Sequence, residues 1–275
     1  MKEFLSNIIK IDGKKSGKTI AIFGGVHGNE PVGPMLLKEL ENTLEIESGV
    51  VYLVYANPQA IEQKVRYIES NLNRVLKDDN KGKTYEEKIA LELQNLLDQS
   101  DALLDLHAFT QPKGEATPFI ICEPEYYSLV ENLPIPFTVS GLHNFEKGST
   151  DQYMYFQNKP GICVELGSRE RPEEFLDLGR IVVKEFLKSF NMLSNTVKSE
   201  KAKKIHLKVV EFYKKKNRDF SFSKLYKNFD YIQSGELVCV DSGISYVAEK
   251  DSYIIFPRED IEVGEEAFIL GEIKK

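Results

Sequence analysis

His27-Gly28-Asn29-Glu30 sets an imidazole and a carboxylate three residues apart, directly after the apolar run Thr19-Ile20-Ala21-Ile22-Phe23 and the pair Gly24-Gly25. A strand ends there and the glycines turn the chain. Both donors then emerge at the carboxyl end of a strand, where open α/β sheets build their sites. Such a pair suits a divalent metal of the zinc type. The chain has only four histidines, so one placed this way carries weight. A catalytic zinc takes three protein ligands and keeps a fourth position for water. His107 is the best third ligand, because it follows another apolar run, Ala102-Leu103-Leu104-Asp105-Leu106. Asp105 is placed to orient a ring nitrogen of His107, as carboxylates behind metal-binding histidines do. A lone histidine after a strand is more often structural; two histidines and a glutamate, all at strand ends, reverse that balance.

A third apolar run, Gly161-Ile162-Cys163-Val164-Glu165-Leu166-Gly167, contains one carboxylate. Such a group is costly unless it is paired or functional. Beside a metal it could act as general base and acid, since desolvation moves its pKa towards neutrality. The alternative is a structural Glu bonded to backbone or to a helix end. The segment Arg66-Tyr67-Ile68-Glu69-Ser70-Asn71-Leu72-Asn73-Arg74 holds two arginines and two asparagines. Guanidinium forks and amide donors at that density make an anion clamp, matched to a carboxylate.

The elements that must position these groups alternate in type. Strand-like runs fall at 18–24, 50–55, 102–106, 117–122, 135–139 and 161–166, mostly continuous apolar stretches suited to strands buried on both faces. Between them, a helix beginning near Pro31 runs to about Leu44. Thr84-Tyr85-Glu86-Glu87 is a capping-box pattern, followed by apolar residues at helical spacing. Residues 172–192 repeat that periodicity. The alternation predicts an α/β fold, with a mixed, mostly parallel sheet flanked by helices. Near residue 195 the chain turns polar and Lys-rich, which predicts a linker over Asn195–Lys204. Short β-type runs at 205–213, 236–240, 252–256 and 266–270 then predict a small C-terminal all-β domain. The expected division is a catalytic domain over 1–196 and a small β-barrel or sandwich over 203–275 that covers the site.

With 275 residues, 41% hydrophobic and 29% charged, the chain has the profile of a globular protein. A net charge of −7 argues against a nucleic-acid partner. The basic stretch from Lys198 to Arg218 reads as linker and strand surface, where Lys blocks edge pairing. Cys122, Cys163 and Cys239 form no CxxC pair and sit in apolar runs, so they read as buried thiols. No apolar stretch approaches the ~20 residues of a membrane span, and the amino-terminal residues lack a signal-peptide core. The expected location is the cytoplasm, with no membrane partner; a homo-oligomer is compatible with the sequence.

Gly24-Gly25-Val26-His27-Gly28-Asn29-Glu30, Arg66-Tyr67-Ile68 leading to Asn71-Leu72-Asn73-Arg74, Asp105-Leu106-His107 and Val164-Glu165-Leu166-Gly167 together resemble the succinylglutamate desuccinylase/aspartoacylase family, within the zinc carboxypeptidase superfamily. The four motifs match in order and approximate spacing over residues 18 to 192. The C-terminal part resembles the family's small β-domain more loosely, through Lys227-Asn228-Phe229, Gly235 and Tyr253-Ile254-Ile255-Phe256-Pro257. The resemblance implies a zinc carboxypeptidase-like fold and one Zn2+ per chain, held by His27, Glu30 and His107. It implies Glu165 as the base, Arg66 as the group that polarises the scissile carbonyl, and Asn73 and Arg74 as holders of the substrate's α-carboxylate. The partner it implies is a small anionic N-acyl amino acid.

One departure bears on the substrate. Aspartoacylases place a Tyr and an Arg shortly before the catalytic Glu, whereas Asp151-Gln152-Tyr153-Met154-Tyr155-Phe156 has no Arg. Acetylaspartate is therefore a poor guess. Tyr153 and Tyr155 are candidate substrate contacts, against packing in a lid loop. Arg169 and Arg171 could replace the missing cation, although surface positions suit them better. His143 reads as a loop residue and His206 as a strand residue. The expected activity is removal of a succinyl, acetyl or similar acyl group from an N-acyl amino acid. The alternatives are a metallocarboxypeptidase acting on a short peptide or peptidoglycan stem peptide, and an inactive fold reused for binding or regulation.

Overall fold

The computed structural model describes residues 6–111, 114–194 and 202–274. Most of the expected linker, residues 195–201, lies outside the described residues, as does the start of the basic stretch at Lys198. Along the chain run β1 (Asn7–Asp12), β2 (Lys15–Gly24), α1 (Val32–Thr43), β3 (Ser48–Tyr55), α2 (Pro58–Gln63), α3 (Tyr85–Asp98), β4 (Ala102–Phe109), β5 (Phe119–Ile121) and α4 (Tyr127–Val130). Then come β6 (Phe137–Ser140), α5 (Thr150–Phe156), β7 (Gly161–Ser168), α6 (Leu176–Ser189), β8 (Ile205–Lys214), β9 (Ser221–Phe222), β10 (Tyr231–Ile232), β11 (Leu237–Asp241), β12 (Ile244–Val247), β13 (Ser252–Ile255) and β14 (Glu266–Ile273). They form two compact units, Met1–Pro136 with Glu146–Lys204, and Phe137–Phe145 with Ile205–Lys275.

In the first unit the strands lie in the order β1-β3-β2-β4-β7-β5. The central β3, β2, β4 and β7 run parallel, while β1 and β5 pair antiparallel with β3 and β7. The sheet is mixed and mostly parallel, as the alternating sequence signals require.

Period-two alternation sorts its side chains between two apolar layers. Ile20, Ile22, Leu104, Leu106, Ile162 and Val164 pack with Leu36 and Leu37 of α1 and Val182, Val183 and Phe186 of α6. Ala21, Phe23 and Leu103 pack on the other face with Ile89, Leu93 and Leu97 of α3 and Met154 of α5. Burying each of the larger side chains contributes roughly 1.5–3 kcal/mol relative to exposure. The same alternation continues the second row from Leu103 into Asp105 and His107. On β7 it puts Cys163 and Glu165 alongside, in the register Asp105↔Cys163 and His107↔Glu165. The chemistry-bearing groups thus share one face near the carboxyl ends of parallel strands.

Local signals explain most element boundaries. The Thr84 side chain accepts from the Glu87 amide and the Glu87 side chain takes the Thr84 amide, so α3 begins with the expected capping box. Lys64, in the left-handed region at φ 55°, ends α2. Two elements depart from expectation. Residues 150–156 form the helix α5, where a lid loop was the alternative weighed for Tyr153 and Tyr155, and 58–63 form α2, which no sequence signal marked.

The second unit has a strand set ordered β6-β8-β14-β13-β10 and a three-stranded sheet ordered β12-β11-β9. β6 runs parallel to β8; the remaining pairs are antiparallel. Its core gathers Tyr213, Phe220, Val238, Ile254 and Phe268, with Tyr213 and Phe268 stacked at 4.8 Å. Cys122, Cys163 and Cys239 are free and buried. Among the described residues, no helix is long and apolar enough to cross a membrane.

Candidate active site

The turn between β2 and α1 is built on two glycines. Gly25 holds φ +74°, a conformation that L side chains rarely adopt. A Cβ on Gly28 would lie 2.0 Å from the backbone carbon of Ala60, so only glycine lets this turn press against α2. The Gly28 amide donates to the Arg66 carbonyl at 3.3 Å, which ties the turn to the arginine loop.

From this turn the side chains of His27 and Glu30 converge on His107. His27 Nδ1 lies 2.7 Å from Glu30 Oε1, and His107 Nδ1 lies 3.0 Å from Glu30 Oε2. All three residues are buried. Their ligand atoms lie within 4.8 Å of one another, and among the described residues this is the one such group of three donors.

The outer ring nitrogens show how the cluster could hold a cation. His107 Nε2 is 2.9 Å from Asp105 Oδ2, so it carries a proton and donates to a carboxylate. His27 Nε2 is 3.1 Å from Asn71 Oδ1, an oxygen that already accepts the Asn73 amide at 3.0 Å. His27 Nε2 must therefore donate as well. Burial lowers the His27 pKa against the pull of Glu30, which favours the neutral ring with a lone pair on Nδ1. That lone pair faces the carboxylate of Glu30, acceptor against acceptor, and a cation between them resolves the conflict. Two imidazole nitrogens and one carboxylate are the donor set of an open zinc site.

Burial would raise the pKa of Glu30, but His27 and His107 outweigh it and hold the carboxyl well below its usual range. Burial would lower His107, but Asp105 and Glu30 outweigh it and hold the ring protonated well above its usual range. Glu165 goes the other way. Burial pushes it up to about 8, against His107 and with Glu30 reinforcing the rise. Its Oε2 is buried with no hydrogen-bond partner. Glu165 stands beside His107 in the strand register, as an unsatisfied carboxylate next to a cation site.

Arg66 Nη1 lies 3.3 Å from Glu30 Oε1, and its side chain is 42% exposed. Asn73 Oδ1 accepts the Thr150 amide at 3.1 Å, which fixes the side-chain amide's orientation and leaves Nδ2 as its donor end. Arg74 Nη1 donates to the Asn73 carbonyl at 2.8 Å, and its Nη2 donates to the Glu146 carboxylate. Tyr153 and Tyr155 lie on α5. The Tyr153 hydroxyl donates to Asp98 Oδ1 of α3 at 2.8 Å, and its ring packs on the second apolar layer; Tyr155 packs against Phe156. Arg169 pairs with Glu170, and Arg171 pairs with Glu174 and donates to the Gly114 carbonyl. His143 and His206 belong to the second unit.

Residues 16–180 match the family model described as the succinylglutamate desuccinylase/aspartoacylase catalytic domain. The chain belongs to this family. Among curated members, it is 30% identical over 168 residues to a probable aspartoacylase of Nostoc sp., covering 54% of this chain and 55% of that protein. It is 33% identical over 201 residues to the N-acyl-aromatic-L-amino acid amidohydrolase (carboxylate-forming) of Rattus norvegicus, covering 62% of each. The matched stretch thus spans little more than half the length of these relatives. The crystal structure of succinylglutamate desuccinylase from Vibrio cholerae aligns with TM-score 0.81 at 21% identity, over 97% of this chain and 85% of that one. This likeness extends the shared fold to nearly the whole family member described here.

Three residues support the site in ways that the sequence did not signal. Asn71 holds His27. Thr150 donates its hydroxyl to Asp105, the partner of His107. Glu86 accepts three backbone amides of the arginine loop. Each is an ordinary polar residue in sequence, and only a contact 44, 45 or 16–18 positions away reveals its part.

Proposed function

We propose that the protein is a zinc-dependent amidohydrolase that removes the acyl group from an N-acyl amino acid. The observation that carries this is the buried, unbonded Glu165 oxygen beside the His27-Glu30-His107 cluster. His27 Nδ1, His107 Nδ1 and Glu30 would hold the metal. When bound, it supplies Lewis acidity, acidifying water and polarising a carbonyl oxygen.

The chain's own residues do the rest. Asn73 Nδ2 and the Arg74 guanidinium bind the α-carboxylate of the substrate and set its amide bond against Glu165. Glu165 takes a proton from water as the water oxygen bonds to the acyl carbon. The Arg66 guanidinium faces the oxyanion that forms and stabilises it by charge and hydrogen bonding. Glu165 then gives its proton to the amine nitrogen as the carbon–nitrogen bond breaks, releasing a carboxylic acid and a free amino acid. Its raised pKa suits a group that must both take and return a proton near neutral pH. Asp105 and Asn71 hold the two histidines in the tautomer the cluster needs. Tyr153 and Tyr155, the other candidates for substrate contact, have no part in these steps: the Tyr153 hydroxyl is held by Asp98 of α3 and Tyr155 lies against Phe156. Three unpaired cysteines support a cytoplasmic setting.

The test is a hydrolysis screen of zinc-loaded protein against N-acetyl, N-succinyl and N-formyl amino acids, with a dipeptide set alongside. Release of free amino acid from acylated substrates is expected. Cleavage of dipeptides alone would replace this function with a carboxypeptidase one, and no hydrolysis by metal-loaded protein would favour a binding role.

A further inference from the structure

We infer that Glu86 is a positioning residue for the reaction, holding the loop that carries Arg66 and Asn71. The inference rests on the proposed amidohydrolase function. Glu86 lies in the first turn of α3 and is 0% exposed, a costly place for a carboxylate without partners. It has four. Oε1 accepts the Ile68 amide at 2.6 Å and Asn57 Nδ2 at 3.2 Å, while Oε2 accepts the Glu69 and Ser70 amides at 3.1 and 3.0 Å. Burial would raise its pKa, but these donors outweigh it and keep the group ionised below its usual range.

The need for a carboxylate comes from the loop. Between α2 and the turn at Leu72–Arg74 the chain has no helix or strand to satisfy its backbone. Three successive amides, from Ile68 to Ser70, turn to one side chain instead. Ser70 Oγ and Thr84 Oγ1 add a second link to the start of α3 at 2.7 Å. Arg66 is two residues before this anchor and Asn71 one residue after it. Arg66 reaches Glu30 and Asn71 reaches His27. A single buried carboxylate therefore sets the placement of the group facing the oxyanion and of the group fixing a metal-binding ring. Gln at this position offers one acceptor oxygen and turns an NH2 against N–H donors. Asp is one methylene short.

The experiment compares wild type, Glu86→Gln, Glu86→Asp, Arg66→Ala and the Glu86→Gln/Arg66→Ala double variant, all zinc-loaded. It reads kcat and KM on an N-acyl amino acid, zinc content, and amide hydrogen exchange. Glu86→Gln is expected to lower kcat/KM by about 10- to 100-fold, as small misplacements of catalytic groups do, with zinc still bound. On the Arg66→Ala background it should cost clearly less than in the wild type, because the share that acts through Arg66 is already gone while the share through Asn71 remains. Exchange at residues 68–70 should accelerate in both Glu86 variants while β2 and β4 keep their protection. An effect within twofold, full multiplication on the Arg66→Ala background, or loss of protection throughout the first unit would overturn the inference. If the wild type hydrolyses no acyl amino acid, the proposed function fails, and the exchange pattern alone still decides whether Glu86 holds the loop.

Discussion

Glu165→Gln should stabilise the metal-free protein, and increasingly so as pH rises. In the folded chain burial raises the Glu165 pKa from an ordinary 4.5 to about 8. A raised folded pKa gives a contribution that is fully present below the unfolded pKa and is lost as pH rises through the folded one. The wild type therefore loses stability between about pH 4.5 and pH 8, where folding must either hold a proton on Glu165 or bury its charge. At about 1.4 kcal/mol per pH unit of difference, the ceiling is roughly 5 kcal/mol. Water entry and local relaxation reduce this, so a gain of about 2–4 kcal/mol for Gln at pH 8.5 is expected, shrinking to about 1 kcal/mol or less at pH 5. The assay is urea unfolding of both proteins in chelator from pH 5 to 9. A stability difference that does not change with pH, or a Gln variant weaker than wild type at pH 8.5, would refute the reasoning.

Metal uptake should release more than one proton at pH 7, because His107, held protonated between Asp105 and Glu30, must give one up to act as a ligand, and a cation beside Glu165 displaces the proton that burial keeps on it below about pH 8; calorimetry in buffers of different ionisation enthalpy measures the number, and zinc affinity should rise with pH. Glu146→Gln should lower KM for an N-acyl amino acid about three- to tenfold with kcat unchanged, since the Glu146 carboxylate occupies the Arg74 fork where the substrate carboxylate is proposed to bind; a raised KM in steady-state kinetics would mean that the pair is structural. Arg66→Ala should reduce kcat by about 10²–10³ with zinc content intact, the scale set by removing an oxyanion donor. Gly28→Ala should destabilise the fold by about 1–3 kcal/mol or more, because its Cβ would collide with the Ala60 backbone, and thermal unfolding would show it.

The candidate metal cluster was legible because each donor follows an apolar run long enough to be a buried strand. Such a run fixes where the strand ends, and parallel strands put those ends together. The pairing of His107 with Glu165 needed the register as well, and two apolar runs alone do not specify register. The arginine loop was visible as a cluster of donors, yet the groups that hold it were not. Glu86 looks like a helix-start acid that favours the helix dipole, and that is also what its sequence position supports. α5 was missed because seven residues rich in aromatics carry little helical signal. Contacts from Thr150 to Asp105 and from Asn73 to Thr150 hold its first turn. In the second unit, β9 and β10 are two residues long and give no periodicity to read. The run 135–139 was read as one more strand of the catalytic sheet. Its pairing with β8 groups it with the C-terminal strands, through a contact about 68 positions away that no local pattern encodes.

The most direct test of the central claim is turnover by the Glu165→Gln variant with its metal content measured on the same sample. The account predicts zinc bound at one equivalent, as in the wild type, and hydrolysis of the best N-acyl amino acid slowed by about 10²–10⁴, the range for loss of a general base. A zinc-loaded variant that turns over at near the wild-type rate would contradict it.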